Sequence, residues 1–367
     1  MKFLFVSESR HLYQDIGAVQ LNTHELALEL VKRGHSAIVA SELKTTDFLG
    51  FRTRMLGKFV SKEKLHDRFL GYPTYRRWNV MESLSDLIEE IKPDIVVVQP
   101  RNHIVLALEL ARMSVPRLVY FHDANPSVFH GKIGNPSDVR HMICLSNSKF
   151  TAQALKKEYE IDSTVIRPII HAERFKSAAA DRDKSTINVT VVDPQVQNGV
   201  YLPIKLASSC PDIPICFLRA PYLPKDQERV LKDCARMYRN LTVQRQTRRM
   251  DNVFGRAKCI VIPGNWDADK DHLAWQAHSS GIPVVASNLG TLPEVLGPGD
   301  ILLDPDGPVE AWIEAVRRLW NDESYFAEHS AAAIATTTAD DQIGSLLELA
   351  DKAIRQQHDA RHAAAKR

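Results

Sequence analysis

The chain has 367 residues, 44% of them apolar and 25% charged, enough for two packed domains with separate cores. A formal net charge of +2 excludes a dedicated nucleic-acid binder, which needs a strong basic excess, and no apolar run reaches the roughly 18 residues of a membrane span. Its five cysteines (Cys144, Cys210, Cys216, Cys234, Cys259) are odd in number and scattered, which reads as buried free thiols of a cytoplasmic protein, with neither a disulfide frame nor a metal site.

The chain opens on a strand at Lys2 to Val6, too soon followed by Ser-Glu-Ser-Arg to be a signal peptide. Further short β runs follow at Ser36 to Ala40, Ile95 to Val98, Arg117 to Phe121 and His141 to Leu145, with amphipathic stretches such as Leu21 to Arg33 and Met81 to Ile91 between them. Such alternation predicts a doubly wound parallel sheet. Phe48 to Leu70 mixes Phe51, Met55 and Phe59 with Arg52, Arg54, Lys58, Lys62, Lys64 and Arg68. It reads either as a helix packing on its own domain or as a basic amphipathic segment docking at an anionic membrane surface.

The pattern breaks in Lys176 to Ser185, a polar run without apolar periodicity that serves as a linker. A second alternating series comprises Asn188 to Val192, Ile213 to Leu218, Leu241 to Gln244, Cys259 to Ile262 and Ile282 to Ala286. The predicted organisation is a first domain at 1–175, a linker at 176–186, a second domain at 187–339, and a helix with a frayed tail at 340–367. Two Rossmann-like halves would face a cleft at their strand ends.

Gly281 to Leu296, GIPVVASNLGTLPEVL, is the most informative stretch: a β-branched strand, a tight turn and a helix start. In that geometry the amides of Gly290, Thr291 and Leu292 can receive an anion. The block resembles the nucleotide-sugar motif of retaining glycosyltransferases of family 4. Other family 4 features recur in order: Gly17-Ala18-Val19, the helix exit Leu26 to His35, the strand Val115 to Asp123 that delivers His122, Ser146-Asn147-Ser148, Arg249 to Phe254, and Pro263 with Trp266. The resemblance implies a GT-B fold and transfer of a sugar from a nucleotide sugar, with retention, to a glycan or glycolipid acceptor. It also implies Gly17 near a diphosphate and His122 near the sugar. No metal or other cofactor is expected.

The motif also departs from the family pattern. The acidic pair E-x7-E falls on Ala268 and Gln276, and the cations of G-R-x-x-x-x-K-G fall on Asp193 and Asn198. Gln276 retains one carbonyl acceptor for a ribose hydroxyl. Arg219, Arg245, Arg248 and Arg249 are candidate replacement cations or a solvated loop face; Asp267, Asp269 and Asp271 are candidate replacement acids or an exposed polar loop. The site expected from sequence is therefore His122 as the catalytic residue, with Gly17, Asn198, Arg219, Arg248, Asp267, Gln276, Gly290, Thr291 and Leu292 holding donor and phosphates. The competing class is a non-catalytic relative that binds a glycan or an active partner; an epimerase of GT-B shape is a third, for which no acid–base carboxylate pair stands out.

Overall fold

The computed structural model describes residues 1–43, 47–56, 66–100, 102–125, 134–169, 187–194, 200–219, 223–245, 250–264, 271–336 and 341–365. The chain divides into two compact units, Met1–Ile169 with Asp340–Arg367, and Ile170–Ala339.

The first unit is built on strands β1 (Lys2–Arg10), β2 (Ser36–Glu42), β3 (His66–Asp67), β4 (Thr74–Arg77), β5 (Ile95–Val98), β6 (Arg117–Phe121), β7 (Cys144–Ser146) and β8 (Ser163–Val165), in the order β3-β4-β2-β1-β5-β6-β7-β8. All neighbours are parallel except β3 with β4. Strands covered by helices on both faces need continuous apolar runs, and Ile95–Val98 is buried at every position. Successive residues alternate between faces: Leu4, Val6, Val96, Val98, Val119 and Phe121 enter one core, and Phe3, Phe5, Val97, Leu118 and Tyr120 the other.

The second core is completed from far along the chain. Ile343, Leu346, Ala350 and Ala353, spaced by three and four on the helix Gln342–Ala365, are buried in it. The C-terminal helix thus belongs to the first unit.

The second unit carries β9 (Asn188–Val192), β10 (Ile215–Arg219), β11 (Leu241–Arg245), β12 (Ala257–Ile262), β13 (Val284–Ser287) and β14 (Ile301–Leu303). Their order is β11-β10-β9-β12-β13-β14, parallel throughout. In both sheets the first strand has its successor on one side and a later strand on the other. Strand order therefore reverses between β1 and β5, and between β9 and β12, where the diverging helices leave a crevice at the carboxyl edge.

The sequence periodicity missed the short or half-exposed strands β3, β4, β8 and β14, which lack an alternating apolar pattern. The strand expected at His141 to Leu145 is Cys144–Ser146. The first strand continues to Arg10 because a register shift after Val6 lets Arg10 pair with Glu42.

Candidate functional site

In the first unit the polar groups gather where β1 and β5 end. Ser7 Oγ donates to Pro100 O and lies 2.6 Å from Ser9 Oγ. Asn102 Nδ2 donates to Glu8 Oε2. Gln99 directly follows the apolar β5 and accepts from Thr23 Oγ1 at 2.6 Å, while its own Nε2, like the Oγ of buried Ser41 at the end of β2, has no partner. The useful signal is a polar residue abutting a buried strand, and sequence reading passed over both.

Gly17 starts the helix Ala18–Lys32 with φ −142° and ψ 174°, extended backbone open to any residue. A Cβ there would meet only Gln20 Oε1, at 2.7 Å, the movable end of a side chain held on Arg10 O at 3.0 Å. Conformation does not demand this glycine; close approach of a ligand would.

His122 follows β6 and is buried, its ring 4.1 Å from that of Tyr120 between centroids. Tyr120 is itself pinned, accepting from Asn22 Nδ2 at 3.1 Å and donating to Ile166 O. His122 Nε2 has no partner. Burial, with a smaller push from His103, lowers its pKa to about 3, so the ring is neutral at physiological pH. With β5 between β1 and β6, His122 and the end of β1 stand about 10 Å apart across the sheet. His103, unmarked in an apolar helical sequence, packs edge-on against Phe121 at 4.8 Å, and burial holds it at about 4. Behind β1, His11 Nε2 and His24 Nδ1 share the Tyr72 hydroxyl at 2.8 and 2.9 Å.

In the second unit the turn after β13 has Gly290 at φ +59°, where glycine is favoured. Thr291 caps the four-residue helix Leu292–Val295 without a side-chain cap bond. It is 2% exposed, and its Oγ1 has no partner. The Leu292 amide already donates to Leu289 O at 3.3 Å, which leaves Gly290 and Thr291 as the free amides of the turn among the described residues. The helix Asp271–Ser279 packs against Leu292–Val295 and carries Gln276, 7% exposed, whose Oε1 also lacks a partner. Beneath them Asp300 joins His278 at 2.9 Å and accepts the Val284 and Gly297 amides, both at 2.9 Å, fixing the start of β13. Sequence analysis missed this pair, which no motif marks.

Arg219 ends β10 and pairs with Glu228 at 3.3 Å, a carboxylate that Lys232 also reaches at 3.1 Å. With β9 and β12 between β10 and β13, Arg219 stands about 14 Å from the Thr291 turn. Gly290, Thr291 and Leu292 share one turn, and the helix that carries Gln276 packs against the short helix that this turn starts; Arg219 ends a strand three positions away in the sheet. Asn198, Arg248 and Asp267 lie outside the described residues. Among the described residues no group of three His, Cys, Asp or Glu could hold a metal ion, and no helix is long and apolar enough to cross a membrane.

Residues 19–174 match the family model described as Glycosyltransferase Family 4. No curated protein matches the chain in sequence. Among solved structures, a glycosyltransferase from Rickettsia africae ESF-5 is similar with a TM-score of 0.71 at 13% identity, over 96% of this chain and 99% of that one. HepE from Anabaena, in complex with UDP and glucose, gives 0.71 at 15% identity over 96% and 99%. A sucrose-phosphate synthase from Thermosynechococcus elongatus gives 0.69 at 12% identity over 100% of both chains. Two parallel-sheet Rossmann-like units with these neighbours make the fold GT-B, and residues 19–174, within the first unit, are what match the Glycosyltransferase Family 4 model.

Proposed function

We propose that the protein is a cytoplasmic glycosyltransferase that moves a sugar from a nucleotide-sugar donor to a glycan or lipid-linked acceptor, with retention at the anomeric carbon. The observation that carries this reading is the pair of buried, unpartnered oxygens Thr291 Oγ1 and Gln276 Oε1 on two packed helices, beside the free Gly290 and Thr291 amides. Buried polar atoms are paired in folded proteins as a rule, so a group of them left open at the carboxyl edge of a parallel sheet calls for a polar ligand. A nucleoside diphosphate sugar supplies hydroxyls and phosphate oxygens of the right kind, and the HepE structures contain UDP and UDP-glucose.

In this reading the Gly290 and Thr291 amides meet the phosphates as charge develops on the leaving group, and Gln276 meets a ribose hydroxyl. Neutral His122, pinned through Tyr120, offers its open Nε2 to the sugar. The leaving diphosphate takes the acceptor proton on the attacked face, so no protein nucleophile is needed. Asn198, Arg248 and Asp267 are further donor contacts. This reading uses no divalent metal, because the Gly290 and Thr291 amides, with Arg248, meet the phosphate charge.

Isothermal titration with UDP and other nucleoside diphosphates, with and without chelator, tests the reading. Binding to the second unit's turn is expected in both conditions, and His122→Ala should reduce transfer far more than nucleotide affinity. Silence toward every common nucleotide would overturn it. It would favour the non-catalytic reading, which the commitment of Arg219 to Glu228 supports.

A further inference from the structure

A surface of the first unit is built contrary to the usual rule for a helix that packs on its own domain. Helix Phe48–Leu56 buries Leu49 and turns its phenylalanines outward: Phe48 is 72% and Phe51 61% exposed, with Met55 exposed at the next position of the same stripe. The spacing is i, i+3, i+7, one face of two helical turns. The exposed Phe69 extends this face, its ring under the Arg52 guanidinium at 5.3 Å. Tyr13 stands edge-on to Phe69 at 6.4 Å, and its hydroxyl donates to Phe69 O at 3.1 Å.

Hydrogen bonds tie the assembly together. Asp47 accepts from the Gly50 amide at 2.9 Å and from Gln14 Nε2 at 2.7 Å, tying the Tyr13 loop to the helix start. Tyr13 has φ +34°, a backbone conformation that costs a tyrosine free energy, yet it directs an aromatic ring to the surface. A cluster of exposed aromatic and aliphatic side chains of this kind calls for a covering partner.

Charge selects among the occupants. Between 48 and 70 the sequence has six cations (Arg52, Arg54, Lys58, Lys62, Lys64, Arg68) and two acids (Glu63, Asp67), an excess of four in a chain whose total is +2. Asp67 lies in a buried bridge to Arg76 at 2.9 Å, so among the described residues of this stretch its one acid is taken up, while Arg52, Arg54 and Arg68 remain as cations. A second copy seated on the same face would bring in the same cations and no added acid to match them. An anionic bilayer meets both features at once, with headgroups for the arginines and an interfacial layer that receives aromatic rings.

We propose that Tyr13, Phe48, Phe51, Met55 and Phe69, with Arg52 and Arg54, form a docking surface for an anionic lipid bilayer. The inference is independent of the donor site. The test is co-sedimentation of the full chain with vesicles of phosphatidylcholine alone and with roughly one-third phosphatidylglycerol. Binding is expected only to the anionic vesicles and should be released by high salt. The double variant Arg52→Gln/Arg54→Gln should weaken partitioning about 25-fold, about fivefold per arginine near a charged surface. Phe48→Ser/Phe51→Ser should also lose binding, and because both rings are exposed it should keep the wild-type melting curve. Equal binding to neutral vesicles, no binding to either, or a dimer in solution without vesicle binding would each overturn the proposal; the last would assign the face to a second copy.

Discussion

Thr291→Val is the most discriminating change in the second unit. The swap keeps β-branched shape and removes a hydroxyl that is buried, unpartnered and makes no cap bond. An unsatisfied buried polar atom costs about 1–3 kcal/mol relative to an apolar replacement of the same shape. The ligand-free variant should therefore be more stable than wild type by about 1 kcal/mol or more. For a unit the size of Ile170–Ala339 that raises the melting temperature by about 2–4 °C per kcal/mol. The same change should weaken UDP by about 1 kcal/mol, roughly fivefold, because a hydrogen bond made only in the complex is lost. Differential scanning calorimetry and isothermal titration read the two effects on one sample. A hydroxyl with a purely structural role predicts the opposite pair, lower stability with unchanged UDP affinity, and that outcome would refute the reasoning.

Gly17→Ala should leave the melting curve within about 1 kcal/mol of wild type, since an extended glycine whose Cβ meets only the Gln20 amide is not conformationally required; sugar transfer should nonetheless fall at least tenfold in a radiolabel assay if a ligand approaches that backbone. Leu346→Ala should cost the first unit about 2–5 kcal/mol by opening a cavity under the C-terminal helix, visible in urea denaturation. His103 is held neutral by burial at a pKa of about 4, below its unfolded value of about 6.5. Its stabilising contribution is complete above the unfolded pKa and is lost as pH falls from about 6.5 towards 4. His103→Asn should therefore flatten the fall of stability with acid in that window by about 1.4 kcal/mol per pH unit, and an unchanged slope in urea melts at stepped pH would show that the ring is not buried neutral.

Local chemistry in the sequence was enough to find the parallel sheets. A strand buried on both faces has to be written as a run such as Ile95–Val98, Asn188–Val192 or Ala257–Ile262, and a strand–turn–helix with Gly290 at positive φ has to be written with glycine and small polar residues. Gln276 and Thr291 were legible as neighbours in the chain, since one short helix–strand–helix segment carries both. Whatever depends on which distant surfaces meet was not legible. Periodicity marked a helix after Asp340 but could not say that Leu346 and Ala350 close a core begun by Phe3 and Phe5. Its place after a strand made Arg219 a candidate replacement cation, and the fold gave it Glu228 and set two strands between it and Thr291. Nothing in an apolar helix start distinguished His103, whose neutrality comes from Phe121 and the burial around it. The stretch 48–70 was amphipathic on paper, but only tertiary packing decided that Leu49 faces in while Phe48 and Phe51 face out. Periodicity and turn chemistry act within a few residues of the chain; burial, charge pairing and pKa depend on which elements pack together, and that is settled when the sheets assemble.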